Sequence, residues 1–216
     1  DQGLKMLDKT SPFDLYKSYG IPVEITEELY RQKGLTLDKT EFDKQLKIHQ
    51  DLSRTASRGM FKGGLQDASE ITTRYHTATH LLHASLRKVL GGHVQQKGSN
   101  ITSERLRFDF SHDQKITQED LLKIENLINQ KIEGDIKVEK LEMKKDEALK
   151  LGALAFFPEK YPEVTSVYKI GDFSMELCGG PHVDSTGEVK KIKIIKEESA
   201  GSGIRRIYAT ALFSQK

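Results

Sequence analysis

Apolar positions recur at helical spacing over most of the first ninety residues, and after that helical and strand spacings alternate. Phe42, Leu46, Ile48 and Leu52 form a stripe that predicts a long helix from about Lys39 to Met60. Two shorter helices precede it. Ser11 caps the first, Pro12 sits in its first turn and Gly20 stops it; after Pro22, Thr26–Gly34 repeats the pattern with its own cap and terminal glycine. A fourth helix opens at Thr72 or Thr73 and ends at Gly91-Gly92, with Leu81, Leu82, Leu86, Val89 and Leu90 as its buried side. His93–Ile101 and Leu106–Phe110 then read as strands, the second setting Leu106, Phe108 and Phe110 against Arg105, Arg107 and Asp109. Thr117 caps an amphipathic helix to about Ile132, with Leu121, Ile124, Leu127 and Ile128 inward. A strand at Ile136–Met143 and a short helix at Asp146–Leu154 follow. Val164–Ile170 and Phe173–Leu177 form a hairpin turning at Gly171-Asp172, and the last strands are the lysine–isoleucine run Lys190–Lys196 and Gly203–Phe213. This order predicts an α+β fold. A helical leader, 1–60, precedes a two-layer domain of antiparallel sheet and helix over 61–216, with the boundary at Phe61-Lys-Gly-Gly-Leu65.

Composition narrows the class. The 216 residues are 36% hydrophobic and 31% charged, enough for a sizeable core beneath a well-hydrated surface. No apolar run is long enough to span a bilayer and the first residues are not a signal peptide, so neither a membrane nor a secretory role is expected. A single cysteine cannot close an internal disulfide, which fits a reducing, cytoplasmic setting and leaves Cys178 free for a metal. A net charge of +2 demands no nucleic-acid partner, so any such binding must come from local patches, and no DNA partner is expected.

Candidate chemistry gathers in two segments. His76 and His80 are four apart on the fourth helix, so both imidazoles leave one face a turn apart. Cys178 and His182 are also four apart, but Gly179, Gly180 and Pro181 forbid a helix and suggest a tight turn. Three nitrogen ligands and one sulfur ligand make a tetrahedral zinc site. His83 shares the ligand face, where a third helix histidine would over-supply the metal, and it reads as a buried or solvent-tipped residue. His49, His93 and His112 have no evident partners. No glutamate stands between His76 and His80, which disfavours a zinc protease of the HExxH type.

Several stretches resemble the editing region of alanyl-tRNA synthetases. These are His76-Thr-Ala-Thr-His-Leu-Leu-His83, His93-Val-Gln-Gln-Lys-Gly-Ser99, Leu106-Arg-Phe-Asp-Phe-Ser-His112, Gly171-Asp-Phe-Ser-Met-Glu-Leu-Cys-Gly-Gly-Pro-His-Val183 and Gly203-Ile-Arg-Arg-Ile207. The likeness runs from about 61 to 213, and residues 11 to 60 look like the end of that synthetase's tRNA-recognition helices. Two features depart from the pattern. The small β-barrel that commonly precedes the HxxxH helix has no room here, and Pro181 stands where the family often has threonine. Neither an aminoacylation domain nor a C-terminal tRNA-elbow domain is expected in this chain, so it should not activate alanine.

The resemblance implies hydrolysis of the ester between a wrong amino acid, chiefly serine or glycine, and the terminal ribose of alanine tRNA, whose acceptor end is the implied partner. Zinc can polarise the ester carbonyl or lower the pKa of a water to ~7. Four protein ligands fill a tetrahedron, the mark of a structural site, whereas the resemblance implies a catalytic or substrate-orienting metal. It also implies that Thr79, three residues from His76, bonds the seryl hydroxyl; ordinarily a helix threonine bonds its own backbone. Gln96 would aim its amide at the ester or ribose, and Gly179 and Gly180 would sit against the substrate. Arg205 and Arg206 adjoin a Gly-Ser-Gly turn and could hold terminal phosphates, although alternation lets at most one of them reach the pocket. Lysines 190, 191, 193 and 196 read first as a solvated strand face. Two other readings remain: a tRNA-binding module with a purely structural zinc, and an unrelated zinc hydrolase of small esters.

Overall fold

A computed structural model describes residues 10–19, 23–58, 64–156 and 161–212. Gly20, Pro22, Met60 to Gly63 and Phe213, which carried expected stops and boundaries, lie outside the described residues, as do the side chains of His49 and Leu52. The chain divides into two compact units, Asp1–Gly59 and Met60–Lys216.

The first unit is helical. It holds α1 (Pro12–Tyr19), α2 (Val23–Gln32) and α3 (Lys39–Arg58). Ser11 Oγ accepts the Asp14 N–H at 3.1 Å and caps α1, while Asp38 Oδ1 accepts from Thr40 and Glu41 at 2.9 and 3.1 Å and caps α3. Thr26 is not the cap expected of it. Val23 to Ile25 are already helical, and Thr26 is fully buried inside α2. Phe42 is buried with Phe13 and Tyr16 edge-on to it, whereas Ile48, further along the expected stripe, is half exposed.

The second unit is built on α4 (Glu70–Leu90). This helix begins earlier than expected because Ser69 is its cap, accepting the Thr72 N–H at 3.4 Å. Thr72 instead turns its hydroxyl back to Asp67, 2.9 Å from Oδ1. Downstream lie β1 (Gln96–Ile101), β2 (Leu106–Ser111), α5 (Gln118–Glu133), β3 (Val138–Lys144), α6 (Lys145–Lys150), β4 (Val164–Ile170), β5 (Ser174–Leu177), a 3-10 turn at Thr186–Val189, β6 (Ile192–Ser199) and β7 (Ile204–Ala211). The fold is α+β, as the sequence pattern predicts, but the strands form two antiparallel sheets where one was expected. One runs β1-β2-β7-β6 and the other β3-β4-β5. They stay separate because β2 pairs with β7, not with β3. Single bridges, Lys137 to Ser185 and Leu154 to Glu176, occupy the edges of the smaller sheet.

One face of α4 joins the main core. Leu81, Leu82 and Leu86 meet Leu106, Phe108 and Phe110 of β2, Ile124 and Ile128 of α5 and Ile207 of β7, all of them buried. Each such side chain contributes about 1.5–3 kcal/mol by leaving water. Tyr75, also buried, accepts the Ala211 N–H at 2.9 Å and so ties α4 to the end of β7. The remaining side of α4 reaches the smaller sheet at β5. The lysine–isoleucine alternation of β6 breaks at a bulge between Ile194 and Lys196, which leaves Ile195 59% exposed. Among the described residues, no helix is long and apolar enough to cross a membrane.

Candidate metal centre

His76 and His80 project from the middle of α4, and Cys178 and His182 come from the turn that follows β5. That turn is pinned from both sides. Leu177 N–H donates to Leu154 O at 2.8 Å, Cys178 N–H to Ser166 O at 3.1 Å, and Tyr161 Oη to Leu177 O at 2.8 Å. The ligand atoms of the four residues all lie within 4.8 Å of one another, and Cys178 Sγ is 3.3 Å from His76 Nε2. The structure thus brings together all four residues expected as ligands, as a group that could hold a metal ion.

Contacts behind two of the imidazoles fix which nitrogen faces the group. His76 Nδ1 is 2.8 Å from the Pro181 carbonyl and His182 Nδ1 is 3.1 Å from Thr77 Oγ1, so in both rings Nε2 is left for a cation. His80 Nδ1 stands 3.8 Å from Glu176 Oε2. His182 Nε2 is buried with no hydrogen-bond partner among the described residues. A bound cation would remove that deficit. Desolvation, with His80 adding to it, holds the His76 imidazole down at about 3. Burial likewise lowers His80 and His182, so all three rings are neutral at ordinary pH, the form that binds metal. Burial pushes the Cys178 thiol up to about 12, opposed by the N–H groups of Gly180 and Gly179. A coordinated cation would convert it to thiolate.

His76, His80 and Cys178 of the group line a cavity of about 790 Å³. Thr79, Gln96 and Gly179 line it. Thr79 donates its hydroxyl proton to the Tyr75 carbonyl at 2.8 Å, the ordinary habit of a helix threonine, and Gln96 Nε2 is 3.2 Å from Ser99 Oγ. Gly180 lies behind, its N–H turned to the Cys178 sulfur. Arg205 and Arg206 do not line the cavity. Arg205 pairs with Glu197 on β6, both side chains largely buried, and Arg206 forms a two-pronged pair with Asp109 on β2 at 2.6 and 2.8 Å. They point to opposite faces as alternation requires, but each side chain is spent on a cross-strand carboxylate.

Glu176 was not foreseen. Buried in the cavity wall, it accepts from His83 Nδ1 at 3.1 Å and from Ser174 Oγ at 3.3 Å. Burial alone would raise its pKa, but His80 and His83 beside it, with those two hydrogen bonds, hold it at about 2. Counting back by two from Cys178 along β5 would have put Glu176 on the ligand side. His93 and His112 pair with each other on the surface, Nε2 to Nδ1 at 2.9 Å.

The matches with known families follow this geometry. The family described as the threonyl and alanyl tRNA synthetase second additional domain matches residues 165–208, which hold β4, β5 and the cysteine turn. A second, class II (A) tRNA synthetases, matches residues 2–105 and takes in α4. Both place the chain in the class of aminoacyl-tRNA synthetase sequences. Curated relatives narrow that class. The alanine–tRNA ligase of Treponema denticola is 56% identical over 205 residues, covering 95% of this chain, and that of Borrelia garinii is 53% identical over 197 residues. A more distant relative, the alanine–tRNA ligase of Halorhodospira halophila, is 42% identical over 215 residues. The chain belongs to the alanyl-tRNA synthetase family. It spans 34% of the Treponema protein and 33% of the Borrelia one, about a third of their length.

Proposed function

We propose that this chain carries a hydrolytic editing site, cleaving the ester between a wrong amino acid, chiefly serine or glycine, and the terminal ribose of alanine tRNA. The observation that carries this reading is a four-residue His/Cys group of which His76, His80 and Cys178 line a cavity of about 790 Å³, large enough for an aminoacyl nucleoside. The ion that suits three imidazoles and one thiolate is zinc. Zinc–ligand bonds of ~2.0–2.3 Å give a tetrahedron with edges of roughly 3.3–3.8 Å; the group, spread over at most 4.8 Å, would contract slightly around it.

When bound, zinc supplies Lewis-acid polarisation of the ester and of water. The chain's own residues bind and sort the substrate. Because the Thr79 proton goes to Tyr75 O, the threonine oxygen meets the cavity as an acceptor, and a seryl hydroxyl would be its donor. Gln96 offers its carboxamide to the ester or ribose, and Gly179 lets the substrate approach the turn closely. Arg205 and Arg206, spent on carboxylates, serve the sheet first and at most add to the field felt by phosphates. The acceptor end of alanine tRNA is the partner and the cytoplasm the setting.

The four protein ligands favour a second reading, a tRNA-binding module whose metal is only structural. One experiment separates the two. Purified protein is given seryl-, glycyl- and alanyl-tRNA with and without chelator. We expect chelator-sensitive release of serine and glycine, with alanine largely spared; full metal loading without any turnover would leave only the second reading.

A further inference from the structure

We propose that a second cavity, between the C-terminal turn of α4 and the β3-β4-β5 sheet, takes the unpaired nucleotides that precede the terminal one of the bound RNA strand. The inference rests on the editing reading above. This cavity, of about 690 Å³, shares Arg87, Gly92 and Leu154 with the metal-centre cavity, so a strand whose last nucleotide occupies the first has a path into the second.

Its chemistry is that of an unpaired nucleotide. Leu141, Met143, Leu151 and Met175 give an apolar floor, with Leu151 62% and Leu141 37% exposed. Apolar groups clustered in an open cavity mark a contact surface, and methionines adapt to flat rings of any shape. The floor side chains carry no strong hydrogen-bonding group, so the site would accept bases without reading their sequence. The rim is cationic. Lys88 is held with its Nζ 5.1 Å from the centre of the Phe173 ring, and Lys169 forms an ion pair with exposed Asp172 at 3.7 Å. At the junction, Arg87 Nη1 donates to Gly92 O at 2.8 Å and Val94 O at 2.6 Å, which fixes the guanidinium where the sugar–phosphate chain would pass. Bases on the floor and phosphates on the rim satisfy both sets of groups at once.

The test uses two stable amides, seryl-3′-amino-adenosine and the seryl-amide of a trinucleotide ending in the same adenosine, titrated onto the metal-loaded chain. We expect the trinucleotide to bind about tenfold tighter or more, as each stacked base and phosphate contact adds affinity. The Lys88→Ala, Lys169→Ala double variant should lose most of that gain, with a log affinity–log salt slope shallower by about 0.7 per phosphate contact removed. Its affinity for the adenosine compound should not change. Equal affinities of the two compounds, or a double variant that keeps the whole gain or loses adenosine binding as well, would overturn the subsite. If neither compound binds, the editing reading itself fails, and the subsite with it.

Discussion

Glu176 Oε1 lies 3.1 Å from His83 Nδ1 while its other oxygen faces His80 Nδ1 at 3.8 Å, so one buried carboxylate stands behind two histidines of the same helix. A carboxylate that closes to hydrogen-bond distance on a ligating imidazole orients it, and removing such a partner typically weakens metal binding 10- to 100-fold. Glu176→Gln should therefore lower zinc affinity by about that factor, measured by competition with a chromogenic chelator, while His83→Gln should lower it less. Unchanged affinity in Glu176→Gln would show that the carboxylate orients nothing.

Cys178→Ala removes the one sulfur donor of the group. Zinc content measured after dialysis should fall well below one per chain, and stability should drop by several kcal/mol, because metal affinity and folding are linked. Undiminished zinc would refute the ligand set.

Thr79→Val keeps the shape of the side chain and deletes its oxygen. One hydrogen bond is worth ~1 kcal/mol, so the preference for seryl- over alanyl-tRNA should fall a few-fold. An unchanged ratio would leave Thr79 with only its bond to Tyr75.

The buried imidazoles set the pH response of the metal-free protein. His76 titrates at about 3 in the fold but near its ordinary 6.5 when unfolded, so between those values the unfolded chain holds more protons and stability rises with pH. Moving down from pH 6.5, His76 alone should cost about 1.4 kcal/mol per pH unit, with His80 and His182 adding in the same direction. Urea midpoints in excess chelator at pH 5 and 7 check this; equal midpoints would mean that the rings are not desolvated as the structure has them.

Arg205→Ala strands the Glu197 carboxylate, whose side chain is 3% exposed, and removing one member of a buried pair costs about 3–5 kcal/mol. Arg206→Ala, whose pair with Asp109 is wetter, should cost less. For both variants, turnover per folded molecule and its salt dependence should match the parent. A steeper loss of tRNA hydrolysis than of folded protein would return the arginines to the RNA.

The four-residue His/Cys group was legible because residue type and spacing survive folding. HxxxH on a helix and CxxxH across a Gly-Gly-Pro turn each present paired donors wherever the rest of the chain goes. Strand existence was legible for a similar reason, since alternation at Leu106, Phe108 and Phe110 mirrors the core directly. Pairing was not. Nothing local tells β2 to choose β7, and the split into two sheets follows from that choice. The partners of the arginines were lost the same way, because Asp109 is 97 positions from Arg206 and Glu197 lies diagonally across the β6–β7 pair from Arg205, so only the register brings them together. Asn129 shows the limit for side chains. It sits on the inner face of α5 and clamps Ile192 through both backbone groups, at 2.8 and 2.9 Å, a polar contact that no hydrophobic pattern encodes.

The insertion of β7 between β2 and β6 bears on how the chain comes off the ribosome. Arg206 and Asp109 are 97 positions apart, so the central ladder of the larger sheet waits until nearly the whole domain has been made. Until then β2 is an open edge, with Phe108 and Phe110 lacking their neighbours on β7. Contacts this distant in sequence slow folding, and unpaired edges recruit other chains. A nascent chain halted before Ile204 would present a sticky half-sheet to its neighbours and to chaperones.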